Sequence, residues 1–92
     1  MGKPPVELFN LPQLRVLDLS DNFIEFSFRG IGAAENLEEL NLFSTGLDRL
    51  EGVEDLEDTA IVSLVLSSNN INEPIPDIFW RLEGLQELSV SV

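Results

Sequence analysis

Large aliphatic residues recur along this chain in the spacing L-x-x-L-x-L. The spacing occurs four times, beginning at Leu14, Leu37, Ile61 and Leu85, so successive copies start 23, 24 and 24 residues apart. Within each copy the last two aliphatic positions alternate with other residues at a period of two, which predicts a short strand with one buried face. The predicted inward side chains are those of Leu17 and Leu19, Leu40 and Leu42, Leu64 and Leu66, and Leu88 and Val90.

A polar position and a further aliphatic position follow each of the first three strands. These pairs are Asn22 and Ile24, Thr45 and Leu47, and Asn69 and Ile71. The chain leaves the predicted strand at the polar position, where a short polar side chain can satisfy backbone groups from inside the stack. We therefore interpret Asn22, Thr45 and Asn69 as a structural ladder of polar residues and not as catalytic groups.

The complete pattern L-x-x-L-x-L-x-x-N-x-L has the period of leucine-rich repeats, and the chain resembles that family over essentially all of its 92 residues. The stretch from Leu66 to Pro76 is most similar to the plant-type repeat L-S-x-N-x-L-x-G-x-I-P, with Glu73 at its glycine position. The second repeat is more similar to cytosolic subfamilies, since four of its aliphatic residues are spaced three apart and predict a 3₁₀ or helical connector. These residues are Leu47, Leu50, Val53 and Leu56.

The resemblance implies an α/β fold in the form of a right-handed solenoid. Its short parallel sheet would line the concave side, with irregular, 3₁₀ or short helical connectors on the convex side. One such strand buries almost nothing alone, whereas stacked copies share a continuous core. We expect a single array over residues 1–92, with a partial repeat at 1–13, repeats starting at 14, 37 and 61, and a partial repeat at 85–92. Among the connectors, 32–41 has the residues to begin a helix.

The chain begins inside a repeat and ends inside a predicted strand. Neither end has a recognisable cap, although stacked repeats normally need polar terminal units. We therefore expect a piece of a longer array, and end-to-end self-association through the exposed edge is the alternative. An alignment of the chain with itself at an offset of 71 pairs Leu8 with Phe79 and Phe9 with Trp80. This alignment predicts that Leu8 and Phe79 are core residues, and that Phe9 and Trp80 lie beside them at the convex edge.

The charge of the chain restricts its chemistry and its partners. Seventeen acidic residues against five basic ones give a net charge of −12, which disfavours nucleic acids because binding to them relies on contacts from Lys and Arg to phosphates. The chain has no Cys and no His, and therefore lacks the commonest catalytic base and the commonest zinc ligands. We expect no enzyme activity and no cofactor, and a partner with basic residues fits the charge best.

The run from Asp48 to Asp58 holds six carboxylates and one basic residue, Arg49. It lacks the Asp-x-Asp-x-Asp-Gly spacing of a calcium loop, and nothing in it specifies a pair of carboxylates for glycoside hydrolysis. We interpret this run as a solvated convex face, without a metal site.

The apolar stretches are only a few residues long, which excludes direct insertion into a membrane. The chain also lacks a signal peptide, a Cys residue and an Asn-x-Ser/Thr sequon. These absences favour the cytoplasm, while an extracellular location stays open for a receptor fragment.

The outward residues of the four strands are not needed for core packing, and they are free to encode a partner. In three columns they are Val16, Glu39, Ser63 and Glu87; Asp18, Asn41, Val65 and Ser89; and Ser20, Phe43, Ser67 and Ser91. Phe43 is the predicted anchor, since it is an outward aromatic residue between two serines.

The resemblance implies non-catalytic recognition of a protein or peptide on the concave face, within a larger receptor, sensor or adaptor. The alternative is a structural spacer or self-stacking segment with no partner site of its own.

Overall fold

Four parallel strands form the sheet of this protein, which a computed structural model describes over residues 4–90. Each strand has three residues: β1 is Val16–Asp18, β2 is Glu39–Asn41, β3 is Ser63–Val65 and β4 is Glu87–Ser89. Their order in the sheet is β1-β2-β3-β4, so that neighbours in sequence are neighbours in space. This arrangement confirms the predicted α/β repeat fold with its parallel sheet.

The strands pair without any slip between equivalent repeat positions. The central leucines Leu17, Leu40, Leu64 and Leu88 are paired across the sheet. A shift of one residue would turn these leucines to the other face, so the shared aliphatic pattern determines the register. Each strand therefore presents equivalent positions of successive repeats in straight columns.

The hydrophobic core lies behind the sheet and is continuous from one repeat to the next. The central leucines of β1, β2 and β3 are buried, and Leu88 of β4 is partly buried against the same core. The connectors contribute the other buried residues, among them Phe28, Ile31, Val53, Leu56 and Ile78. Since no single repeat could bury these side chains by itself, stacking is the source of the stability.

Short helical segments form much of the connectors. Three of them are 3₁₀ helices, at Val6–Asn10, Ile31–Ala33 and Val53–Asp58, and one is a single turn of α-helix, α1, at Ile78–Arg81. The 3₁₀ helix at Val53–Asp58 confirms the prediction made from the spacing of three, and all four aliphatic residues of that spacing are buried.

The helix predicted to begin in 32–41 is wrong. The 3₁₀ helix there ends at Ala33, and β2 begins at Glu39. Leu37 and Leu40 have a spacing of three that suits a helix, but both are buried as the first aliphatic positions of the strand motif. The α-helical turn lies at Ile78–Arg81 instead.

The equivalence predicted between Phe9 and Trp80 is also wrong. Phe9 is 3% exposed and Trp80 is 73% exposed, whereas Phe79 is 3% exposed like Phe9. The segment around Phe9 is a 3₁₀ helix and the segment around Trp80 is α-helical. Because the two helix types turn through different angles per residue, matched positions face different ways.

Candidate binding surface

The outward residues of the strands form one continuous surface, here called the strand face. Its first column is Val16, Glu39, Ser63 and Glu87, and its second is Asp18, Asn41, Val65 and Ser89. Its third column is Ser20, Phe43 and Ser67, since backbone hydrogen bonds continue past the strand ends, from Asp21 N–H to Phe43 O and from Ser44 N–H to Ser67 O. Ser91, the fourth member predicted for this column, lies outside the described residues.

Two apolar side chains of the strand face are open to solvent. Val16 is 57% exposed and Phe43 is 38% exposed, while Val65 is half-buried. Ser20 and Ser67 flank Phe43 in its column and are too small to cover the ring. A partner could therefore reach the face of the Phe43 ring from the solvent side.

Side chains at equivalent positions of the first two repeats hold the backbone of the strand face. Asp18 Oδ1 accepts a hydrogen bond of 2.9 Å from Ser20 N–H, and Asn41 Oδ1 accepts one of 3.0 Å from Phe43 N–H. Hydrogen bonding from Ser20, by its hydroxyl and its backbone N–H, lowers the pKa of Asp18 below 3.8. Asp18 is therefore a carboxylate at neutral pH, and the bond to Asn41 fixes the backbone that carries Phe43.

The third and fourth repeats are linked by side chains across the same face. Ser63 Oγ donates a hydrogen bond of 2.7 Å to Glu87 Oε1, and the hydroxyls of Ser67 and Ser89 lie 3.0 Å apart. Glu39 has no such contact among residues 4–90 and is exposed. The strand face is therefore acidic and polar around the apolar residues of its first two repeats.

The predicted polar ladder differs in burial from one end to the other. Asn69 is buried: its Oδ1 accepts hydrogen bonds from the N–H groups of Thr45 and Leu47, and its Nδ2 donates to Leu42 O and Leu66 O. Thr45 is buried and donates to Leu42 O. Asn22 is exposed, and within residues 4–90 its side chain bonds only to its own repeat, at Leu19 O and Ser20 O. Asn69 thus joins two repeats, and Asn22 closes one turn.

The acidic run bonds mainly to neighbouring connectors. Asp55 Oδ2 accepts a hydrogen bond from Gly30 N–H at 2.9 Å, and Glu51 and Glu57 form ion pairs of 3.5 Å with Arg29 and Arg81. Within residues 4–90, no three acidic side chains converge in a way that could hold a metal ion. The same residues include no helix with the length and hydropathy to cross a membrane.

Comparison with known proteins agrees with this architecture. A model of the Leucine Rich Repeat family matches residues 13–33 and 60–82, which include most of the first and third repeats. The chain belongs to the leucine-rich repeat family.

A receptor is among the relatives of this leucine-rich repeat chain. Toll-like receptor 6 of Bos taurus is 32% identical to it over 77 residues, an alignment that includes 84% of the chain and 10% of the receptor. The chain therefore spans about a tenth of the length of this relative. No solved structure gives a significant match. These comparisons leave the plant-type assignment as a prediction.

Sequence reasoning missed an exposed aromatic residue on the connectors of this leucine-rich repeat protein. Phe23 is 73% exposed and lies against the backbone of the next repeat, since a β-carbon added at Gly46 would lie 2.5 Å from the Phe23 ring. The pattern N-x-L leaves this position unspecified, with Gly46 and Asn70 at the equivalent places. The signal available in the sequence was an aromatic residue at a variable position with a glycine one repeat later.

Phe23 borders an open groove of about 560 Å³ between two connectors, here called the connector groove. Residues 23–27 and 46–49 line it, together with Pro4, Phe9 and Glu51. Three aromatic rings support one side: Phe26 packs edge-on against Phe9 at 6.2 Å and against Phe28 at 5.1 Å between ring centres. The groove is separate from the columns of the strand face.

Proposed function

We propose that this protein recognises another protein or a peptide, without catalysis, through the strand face. The observation that carries the proposal is the alignment of Val16, Phe43 and the acidic side chains in columns that core packing leaves free. An aromatic side chain held by a rigid backbone is the type of residue that contributes most to protein interfaces. The name of the bovine relative, a receptor, is consistent with recognition.

The partner we propose presents a large apolar side chain next to Lys or Arg. The apolar group would cover Phe43 and Val16, and the basic groups would face Asp18, Glu39 and Glu87. Opposite charges at the edge of an interface accelerate association and select partners, while the buried apolar contact supplies most of the affinity. The binding residues we propose are therefore Val16, Asp18, Ser20, Glu39, Asn41, Phe43, Ser63, Val65, Ser67, Glu87 and Ser89.

Catalysis is not part of the proposal. The chain has no His or Cys, and three carboxylates of the acidic run, those of Glu51, Asp55 and Glu57, are engaged with backbone or arginine groups of neighbouring connectors. General acid and base catalysis needs a titrating group whose pKa is matched to the reaction. The shift that hydrogen bonding gives Asp18 is downward, away from neutral pH.

Selection of peptides tests the proposal. The immobilised chain would select binders from random peptides displayed on phage, and their affinities would be measured for three variants. We expect Phe43→Ala and Asp18→Arg each to weaken binding by about tenfold, because each removes or reverses a central contact of the strand face. Glu35→Ala, an exposed change on a connector, is the control and should leave affinity unchanged.

A spacer role predicts a different result. Selection would then enrich no peptide above an empty surface, or Phe43→Ala and Asp18→Arg would bind as well as the unaltered chain. Either result would contradict recognition through the strand face.

A further inference from the structure

We propose that the connector groove is a second docking site, for a peptide segment that carries one large apolar side chain beside Lys or Arg. This inference stands apart from the strand face, since none of the residues of its columns lines the groove. Three observations carry it: the shape between the connectors, the exposed ring at its border and the charge of its lining.

The shape follows from how the two connectors are joined. Backbone hydrogen bonds link them at two points, from Ile24 N–H to Thr45 O at 3.1 Å and from Phe28 N–H to Glu51 O at 2.9 Å. The groove lies along the segments between these two links. Its volume of about 560 Å³ is within the range of sites that hold small ligands or anchor side chains.

The exposed ring is held in place on one side only. Phe23 packs on Gly46, where any larger residue would displace the ring, and the rest of its surface faces solvent. The Phe9, Phe26 and Phe28 rings, packed edge to face, form an apolar support nearby. An apolar side chain that entered the groove would cover the Phe23 ring at little cost in ordering the protein.

The lining carries more negative than positive charge. Glu25, Asp48 and Glu51 face one basic residue of the lining, Arg49. Glu51 is already paired with Arg29 and accepts a hydrogen bond from Ser27, whereas Glu25 and Asp48 form no ion pair within the described part of the chain. A basic residue next to the apolar anchor would neutralise these carboxylates. A second copy of this chain fits the groove less well, because it would bring a further net charge of −12.

Titration with a defined peptide tests the site. The probe is the acetylated and amidated peptide Lys-Lys-Phe-Lys-Lys, added to the isotopically labelled chain and followed by backbone amide shifts in NMR spectra. We expect shifts in residues 23–27 and 46–51, besides any that the probe causes on the strand face. The peptides Lys-Lys-Ala-Lys-Lys and Glu-Glu-Phe-Glu-Glu should bind at least about tenfold more weakly, because each lacks one of the two recognised groups.

Variants of the chain separate this site from general attraction of charge. Phe23→Ala should weaken binding of the probe to the groove by about tenfold, and Asp48→Lys should weaken it by several fold. The thermal midpoints of both variants should be unchanged, since both side chains are exposed. Trp80→Ala is the matched control, because Trp80 is as exposed as Phe23 and lies outside the groove. Phe43→Ala controls for the strand face, and in both controls the shifts of residues 23–27 and 46–51 should titrate as in the unaltered chain.

Several outcomes would overturn the proposal. Equal binding of the alanine peptide would mean attraction by charge alone, and shifts confined to the strand face, around Val16 and Phe43, would mean that the probe does not enter the groove. Retained affinity in Phe23→Ala would exclude the ring as an anchor. A dimer seen by sedimentation velocity that Phe23→Ala dissociates would mean that a second copy occupies the groove.

Discussion

At the scale of single residues, equivalent positions of the repeat have different environments. Asn22 and Asn69 make the same two bonds to carbonyl groups of their own repeat. Asn69 in addition accepts two backbone N–H groups of the preceding repeat and donates to Leu42 O at 2.7 Å. The contribution of each ladder residue to stability therefore depends on whether its side chain also bonds to the preceding repeat.

Substituting the two asparagines by alanine should separate these contributions. We expect Asn69→Ala to lower the free energy of unfolding by about 3 kcal/mol, because it leaves buried N–H and C=O groups of the backbone without partners. Asn22→Ala is the matched control. It should lower the free energy of unfolding by about 1 kcal/mol or less, since water can reach the freed carbonyls. Equilibrium unfolding in urea measures both values, and equal losses would contradict an inter-repeat role for Asn69.

At the scale of elements, the connectors approach each other so closely that one position excludes a side chain. Gly52 precedes the 3₁₀ helix at Val53–Asp58 with a φ of 78°, in the left-handed region. A β-carbon there would lie 2.6 Å from the backbone nitrogen of Arg29 and 2.9 Å from its α-carbon. The neighbouring connector bonds at this point, through Phe28 N–H and Glu51 O, and therefore cannot move away freely.

Gly52→Ala should accordingly destabilise the protein by about 2–4 kcal/mol, from the left-handed backbone together with the clash. Gly84→Ala is the control: its nearest neighbour would be Ile61 O at 3.6 Å, an ordinary contact, and we expect a change within about 0.5 kcal/mol. Thermal unfolding followed by circular dichroism compares the two. If Gly52→Ala unfolds at the same temperature as Gly84→Ala, the connectors can move apart without loss of stability.

At the scale of the whole molecule, excess negative charge opposes the compact state. The three ion pairs of residues 4–90 are all on the surface, where such pairs contribute about 0–1 kcal/mol each. Most carboxylates therefore repel one another across a body of 30 × 29 × 18 Å. At about 0.01 M ionic strength the screening length is roughly 30 Å, so this repulsion acts across the entire molecule.

Salt should therefore raise the thermal midpoint. We expect an increase of several degrees between about 0.01 M and 0.15 M NaCl, as the screening length falls to roughly 8 Å. Glu54→Lys, an exposed change on the connector side, should raise the midpoint at low salt and reduce its dependence on salt. Differential scanning calorimetry at both salt concentrations measures this, and a midpoint that falls with salt would mean that the ion pairs dominate.

Much of the fold could be predicted from the sequence alone, and for a local reason. Aliphatic residues such as Leu17, Leu40 and Leu64 recur at a period that leaves one pairing in which all of them are buried. The columns of the strand face follow from that register, so their members could be named from spacing. The spacing of three before Leu56 likewise predicts the 3₁₀ connector that the structure contains.

Other features depend on contacts between repeats, which no single repeat pattern encodes. The full burial of Phe9 beside a partly buried Leu8, the exposure of Trp80 and the end of the 3₁₀ helix at Ala33 follow from which neighbour each segment packs against. The same holds for Asn69, whose partners in the preceding repeat are 22 to 27 residues away, and for the connector groove. The sequence by itself thus determined the period, the register and the inward and outward positions, because those depend on short spacings. Only the tertiary structure decided which equivalent positions are buried and where a groove opens, because those depend on surfaces that meet across repeats.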